Sequence, residues 1–297
     1  MNVSAVLESV EQVRGLLEGQ DYIAGDRLST AVFLALSLKR PLFLEGEAGV
    51  GKTELARALA AALGRRLIRL QCHEGLDLAG AAYEWNHARQ ILAIRLAEAE
   101  ERVDEMANDL YSREFLIERP LLEALSPRPE GPPVLLVDEL DRADEPFEAY
   151  LLEFLSDFRM SIPELGEARA PEAPLVVLTS NRTREVHDAL KRRCLYCWVD
   201  YPTQTAEERI LKARVPGLPD ALRAKVVGFV QGLRREDLFK SPGVSETLDW
   251  AESLMAMGAR ELDTQAVSET LGALLKYQED LEQVDDSVVD RLLAASA

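Results

Sequence analysis

Eight residues, Gly46-Glu47-Ala48-Gly49-Val50-Gly51-Lys52-Thr53, leave the chain around them few choices. Glycines at 46, 49 and 51 let the main chain turn tightly and bring its N–H groups close to an anion. The preceding run, Arg40-Pro41-Leu42-Phe43-Leu44-Glu45, is short and apolar, as a buried strand is. The following run, KTELARALAAAL over 52–63, has an Ala/Leu face and reads as a helix. Leu67-Ile68-Arg69-Leu70-Gln71 reads as a second strand. Strand, glycine-rich turn, helix and strand make a βαβ unit, which implies a parallel sheet.

The segment matches G-x-x-x-x-G-K-[ST], in the context that a nucleotide loop requires. Its amides and the helix N-terminus would cradle phosphates. Lys52 would reach the β- and γ-phosphates of ATP, and Thr53 would place its hydroxyl on Mg2+. A capped helix start alone would not require Lys52-Thr53.

Three further sites extend the pattern. Val134-Leu135-Leu136-Val137 is an apolar strand ending in Asp138-Glu139. Asp138 suits Mg2+, and Glu139 can polarise an attacking water. Thr179-Ser180-Asn181 ends the strand that begins at Leu175; Asn181 could orient the same water, although Asn also favours plain strand-end turns. Lys191-Arg192-Arg193 precedes the last strand, Leu195–Val199. Either arginine, Arg193 before Arg192, could act on the ATP of a neighbouring subunit. A basic helix end that complements the dipole is the alternative.

The rest of the chain reads as helices at 3–18 and 26–38, then a hairpin at 83–94 turning at 86–89. A long charged helix is expected to follow, to about Leu125. A helix at 145–158 precedes a small hairpin at 160–169 with Gly166 at its tip. After Tyr201-Pro202 only helical periodicity remains. The expected domains are an α/β nucleotide-binding domain over 1–202 and an all-α lid over 203–297.

Lys and Arg total 34 against 52 Asp and Glu, a formal charge of −18, which repels nucleic-acid phosphates. Three cysteines and an N-terminus without a signal core point to the cytoplasm, and no run is long enough to span a membrane. Cys194-x-x-Cys197 lacks a second ligand pair at metal spacing, so both read as small buried residues.

In this order of motifs the chain resembles AAA+ ATPases, specifically the MoxR family and its CoxD-like branch. The resemblance is carried by Phe43–Glu54, Gln71–Asp77, Tyr83–Asn86, Leu136–Arg142 and Pro242–Trp250. It implies a five-stranded parallel sheet ordered 5-1-4-3-2 and a C-terminal helical lid. It also implies a hexameric ring and inserted hairpins at 81–95 and 159–170. The nucleotide-binding set it implies runs from Gly46 to Glu54 and adds Tyr22 and Ile23 beside adenine. Its members often act with a von Willebrand factor A domain protein on metalloenzyme clients, in this branch molybdenum hydroxylases. Relatives usually carry an arginine in the lid segment Gly243-Val244-Ser245-Glu246-Thr247; here Thr247 falls at that place. The expected activity is ATP hydrolysis by a ring-forming remodelling chaperone. A nucleic-acid motor or clamp-loader-like ATPase, and a monomeric P-loop kinase or binding-only switch, are the competing readings.

Overall fold

The computed structural model describes residues 7–99 and 110–296. They form two compact units, one of residues 7–13, 26–45, 56–99 and 110–197, the other of 14–25, 46–55 and 198–296.

The first unit is built on a sheet. Its strands are β1 (Leu42–Glu45), β2 (Leu67–Gln71), β5 (Val134–Asp138), β8 (Leu175–Ser180) and β9 (Leu195–Trp198). They lie in the order β2-β5-β8-β1-β9. Numbered among themselves they read 5-1-4-3-2 from the other edge, the order expected from the resemblance. Every residue of β1, β5 and β8 is buried. Central strands of a parallel sheet are covered on both faces, which is why these three are apolar up to their C-terminal ends. Edge strand β2 instead alternates, with Ile68 and Leu70 buried and Arg69 exposed. Its inner face packs with Phe43, Leu135, Val137 and Leu178 in one core.

Parallel register brings the C-terminal ends of the strands to one edge: Gln71 pairs with Asp138, and Glu45 with Ser180. The helices α2 (Asp26–Leu38) and α3 (Lys52–Leu63) have the expected bounds. Helix α1 (Val10–Glu18) starts later than expected; of the earlier part, 3–6 lie outside the described residues.

The expected hairpin at 83–94 is not formed. Only Tyr83–Trp85 (β3) is a strand; His87–Ala99 is helix α5. Asn86 Oδ1 accepts the Arg89 N–H at 3.0 Å and starts that helix, and Gln90–Ala99 is rich in good helix formers. The antiparallel partner of β3 is β4 (Leu116–Glu118), so the insertion closes through a distant strand. The long helix expected to reach Leu125 falls partly on 100–109, outside the described residues. Beyond them stand a 3-10 turn, β4 and a short helix, α6 (Pro120–Leu125). Between α4 (Leu78–Ala81) and β3 there is no longer connection than one residue. After β5 comes α7 (Glu145–Asp157). The second hairpin is present as β6 (Arg159–Ile162) and β7 (Gly166–Arg169). Its turn is 163–165, and Gly166 opens the return strand. Helix α8 (Asp188–Arg193) precedes β9.

The second unit carries the helical C-terminal part. Its helices are α9 (Gln204–Arg214), α10 (Asp220–Leu233), α11 (Val244–Ala256), α12 (Thr264–Leu274), α13 (Gln278–Gln283) and α14 (Asp286–Ala295). They enclose Val226, Val227, Phe229, Val230 and Trp250. Trp250 Nε1 donates to Thr270 Oγ1 at 2.7 Å, which satisfies the one polar atom of that buried ring. Among the described residues no helix is long and apolar enough to cross a membrane.

Candidate functional site: a glycine-rich loop and an acidic strand end

The loop 46–53 is made of main chain. A Cβ at Gly46 would lie 2.3 Å from the Val199 carbonyl oxygen, so only glycine fits there. Gly49 has φ +76°, in the region that favours glycine, and its carbonyl accepts the Val244 N–H at 2.9 Å and the Ser245 N–H at 3.3 Å. These are the first amides of α11, so the loop caps that helix. Lys52 is buried; its ammonium donates to the Gly46 and Glu47 carbonyls at 2.7 and 2.6 Å. Those carbonyls offset the cost of burying the charge. Thr53 is half-buried in the first turn of α3. Tyr22 and Ile23 are half-buried, and the Tyr22 hydroxyl donates to the Gly51 carbonyl at 3.3 Å. Glu54 turns to Arg214 of α9, at 3.0 Å.

The end of β5 is held by side chains instead. Asp138 is almost fully buried. Its Oδ1 accepts the Thr179 hydroxyl at 2.6 Å, and its Oδ2 accepts Arg69 Nη2 at 2.6 Å and Nε at 3.1 Å. Thr179 Oγ1 also accepts the Glu139 N–H at 2.9 Å, so one hydroxyl from β8 fixes both acidic residues. Glu139 sits in the left-handed region, φ +55° and ψ +50°, unusual for a residue with a side chain. That conformation turns its carboxylate off the strand direction. Its Oε2 accepts Gln71 Nε2 at 3.0 Å and Arg142 Nη1 at 2.9 Å. Arg69 Nη2 also donates to Gln71 Oε1, so Asp138, Arg69, Gln71, Glu139 and Arg142 form one continuous chain of bonds. The acidic surroundings act on Cys72 as well. Burial first, then the negative charge of Asp138, pushes its thiol up to about 12.

Asn181 follows β8 directly. Its N–H donates to Asp141 Oδ1 at 3.2 Å, and Asp141 Oδ2 takes the Thr183 N–H and hydroxyl at 2.9 and 2.7 Å. Buried Asp141 therefore sets the path of the 181–183 loop. Arg192 and Arg193 are exposed in the last turn of α8, and their carbonyls accept Arg40 at 3.0 and 3.3 Å. The neighbouring Lys191 lies 3.2 Å from buried Glu45, the last residue before the glycine loop. Cys194 and Cys197 are both buried and neither is in a disulfide, with Cys194 capping α8 rather than lying in the strand. Thr247 is buried, and its hydroxyl bonds Glu207 Oε1 at 2.9 Å. Glu207 in turn pairs with Arg234, whose side chain is 6 % exposed.

The donors at the strand end suit a hard divalent cation. Asp138 offers carboxylate oxygen, and one carboxylate completed by hydroxyl, phosphate and water oxygens is a set Mg2+ favours. Among the described residues no group of three or more His, Cys, Asp or Glu could hold a metal unaided.

Arg69, Gln71, Thr179, Asp141 and Arg142 are the participants that motif reading leaves without a role. The available signal is the period-two alternation of 67–71, which puts Arg69 and Gln71 on one face of β2.

A family model for the AAA domain, dynein-related subfamily, matches residues 41–194. An uncharacterized Staphylococcus haemolyticus protein is 25% identical over 205 residues, 67% of this chain and 70% of that protein. One from Staphylococcus saprophyticus is 25% identical over 207 residues, with the same coverage. Among solved structures, the Thermotoga maritima RuvB Holliday junction branch migration motor aligns with a TM-score of 0.46 at 16% identity, over 94% of this chain and 73% of its own. Its P216G mutant aligns at 0.49 and 16%, over 94% and 74%.

Proposed function

Since the chain belongs to the AAA domain family, dynein-related subfamily, we propose that it hydrolyses ATP to ADP and phosphate and works as a MoxR-type remodelling ATPase. The observation that carries this reading is the hydroxyl of Thr179, which holds Asp138 and the backbone of Glu139 together at the C-terminal edge of the sheet. Such an arrangement gives two neighbouring carboxylates different tasks. Asp138, buried and immobilised, suits cation binding; Glu139, less buried, suits proton transfer.

In this reading the amides of 46–53 bind the phosphates, and Lys52 leaves its two carbonyls for phosphate oxygens. Tyr22 and Ile23 border the adenine. Mg2+, held by Thr53 and Asp138, supplies charge neutralisation at the phosphates. Glu139 takes a proton from the attacking water, Asn181 orients that water, and Arg193, with Arg192 beside it, serves a neighbouring subunit of a hexameric ring. The contact of Gly49 with the first amides of α11 supports a lid that responds to the loop. The partner proposed from the resemblance is a von Willebrand factor A domain protein, and the client a metalloenzyme of the molybdenum hydroxylase type. The charge of −18 supports a protein client over a nucleic-acid track, and the cytoplasm is the proposed compartment.

Phosphate release tests this reading. Specific activity should rise with protein concentration as rings assemble. Arg193→Ala should abolish the activity while ATP still binds. Activity independent of concentration and indifferent to Arg193 contradicts the ring.

A further inference from the structure

We propose that Arg69 is the internal counter-cation of Asp138, competes with the divalent metal for that carboxylate, and so sets the metal affinity of the site. The inference rests on the ATPase reading above.

Three observations carry it. First, both guanidinium contacts, Nη2 at 2.6 Å and Nε at 3.1 Å, fall on the single oxygen Oδ2. The Thr179 hydroxyl donates to the other oxygen, Oδ1. Second, the partners differ in burial. The Asp138 side chain is 3% exposed and the Arg69 side chain 44%. The carboxylate cannot reach water, whereas the guanidinium at the sheet edge can leave with little desolvation. Third, the placement follows from register. Arg69 is paired with Leu136 and Gln71 with Asp138, on the same exposed face of β2, so the Arg69 side chain reaches forward along the strand to the acid.

A buried carboxylate without a counter-charge is costly, and here the arginine supplies that charge within the unit. A metal ion at Oδ2 then meets a guanidinium bonded to the same oxygen. Two cations on one oxygen repel, so binding requires Arg69 to swing outward. The exposed position makes this movement inexpensive. It also sets a threshold: metal occupies Asp138 only when its own attraction exceeds that of the arginine. A purely structural ion pair of this exposure would contribute little either way.

Manganese is the probe, measured by the loss of free Mn2+ signal in electron paramagnetic resonance. A fluorescent, non-hydrolysable ATP analogue is bound first, with excess manganese, to wild type and to Lys52→Ala. If the two bind it equally, or neither does, the nucleotide reading and this proposal fall together. If only wild type binds it, Mn2+ is titrated at saturating analogue into wild type, Arg69→Met and Arg69→Lys. Arg69→Met should bind Mn2+ about tenfold more tightly, since a competing unit charge is gone. Arg69→Lys, which keeps the charge, should stay near wild type. Arg69→Gln replaces Arg69→Met if the latter melts early, with the same expected tightening. Unchanged or weaker Mn2+ affinity in the folded neutral variant overturns the proposal while leaving the ATPase reading intact.

Discussion

The glycine loop and the end of β5 solve the same problem, a buried charge, with opposite materials. At the loop, the ammonium of Lys52 rests on two main-chain carbonyls. At β5, the carboxylates of Asp138 and Glu139 rest on side chains drawn from β2, β8 and the turn after β5. A backbone site depends on local geometry and is fragile only where the chain itself must bend or approach. A side-chain site depends on residues far away in sequence and is fragile wherever any one of them changes. The difference predicts where substitutions hurt.

The largest effect is expected at Glu139. Glu139→Gln keeps the shape and removes the base, so phosphate release should fall by about 10²–10⁴ while the analogue still binds. Normal turnover in that variant would assign the base elsewhere. Lys52→Ala should lower phosphate release by about 10² through lost phosphate contact, and unlike Glu139→Gln it should also lose nucleotide affinity. Next comes Gly46→Ala, which acts on the backbone. A methyl group 2.3 Å from the Val199 carbonyl forces the loop to shift, and a stability loss of about 3 kcal/mol is expected in urea unfolding. If Gly46→Ala is neutral, the loop does not depend on close backbone approach.

Thr179→Val probes the other material. It removes a buried hydroxyl that bonds Asp138 and the Glu139 amide, at a cost of about 1–3 kcal/mol. Stability and phosphate release should both drop, with the analogue affinity least affected. A last effect is in pH and is absent at neutral pH. The buried thiols Cys72 and Cys194 are each pushed up to about 12 from 9.0 by burial, and the acids beside Cys72 add to its shift. Protonated thiols in the fold and ionised thiols in the unfolded chain mean that stability is whole below pH 9 and declines toward pH 12. The slope should be about 1.4 kcal/mol per pH unit for each thiol. Cys72→Ala should flatten that decline by its own share in urea titrations run from pH 8 to 11.

The contrast also explains what was legible. Strand β1, the loop and α3 form one contiguous stretch whose pattern and chemistry coincide, and their bounds are as read, give or take the first two residues of the strand. Apolar β5 and β8 are equally plain, because both faces are covered. The region from 83 to 94 misleads because Gln90-Ile91-Leu92-Ala93-Ile94 is a short apolar run that suits strand or helix. Asn86 capped it as helix, and the true partner of β3 lies in 116–118. Arg69 and Gln71 look like an ordinary solvent face of an edge strand, because nothing within 67–71 reveals that Asp138 sits beside them in register. In the C-terminal helical region, the bond of Thr247 to Glu207 and the buried pair of Glu207 with Arg234 join α11, α9 and the end of α10, which no local pattern encodes.

The most direct test is a crystal structure with magnesium and a non-hydrolysable ATP analogue. The account predicts the β-phosphate within hydrogen-bond distance of the amides of residues 49–53, and Lys52 Nζ moved from the Gly46 and Glu47 carbonyls onto phosphate oxygens. Lys52 still on its two carbonyls, with the analogue bound elsewhere, would contradict it.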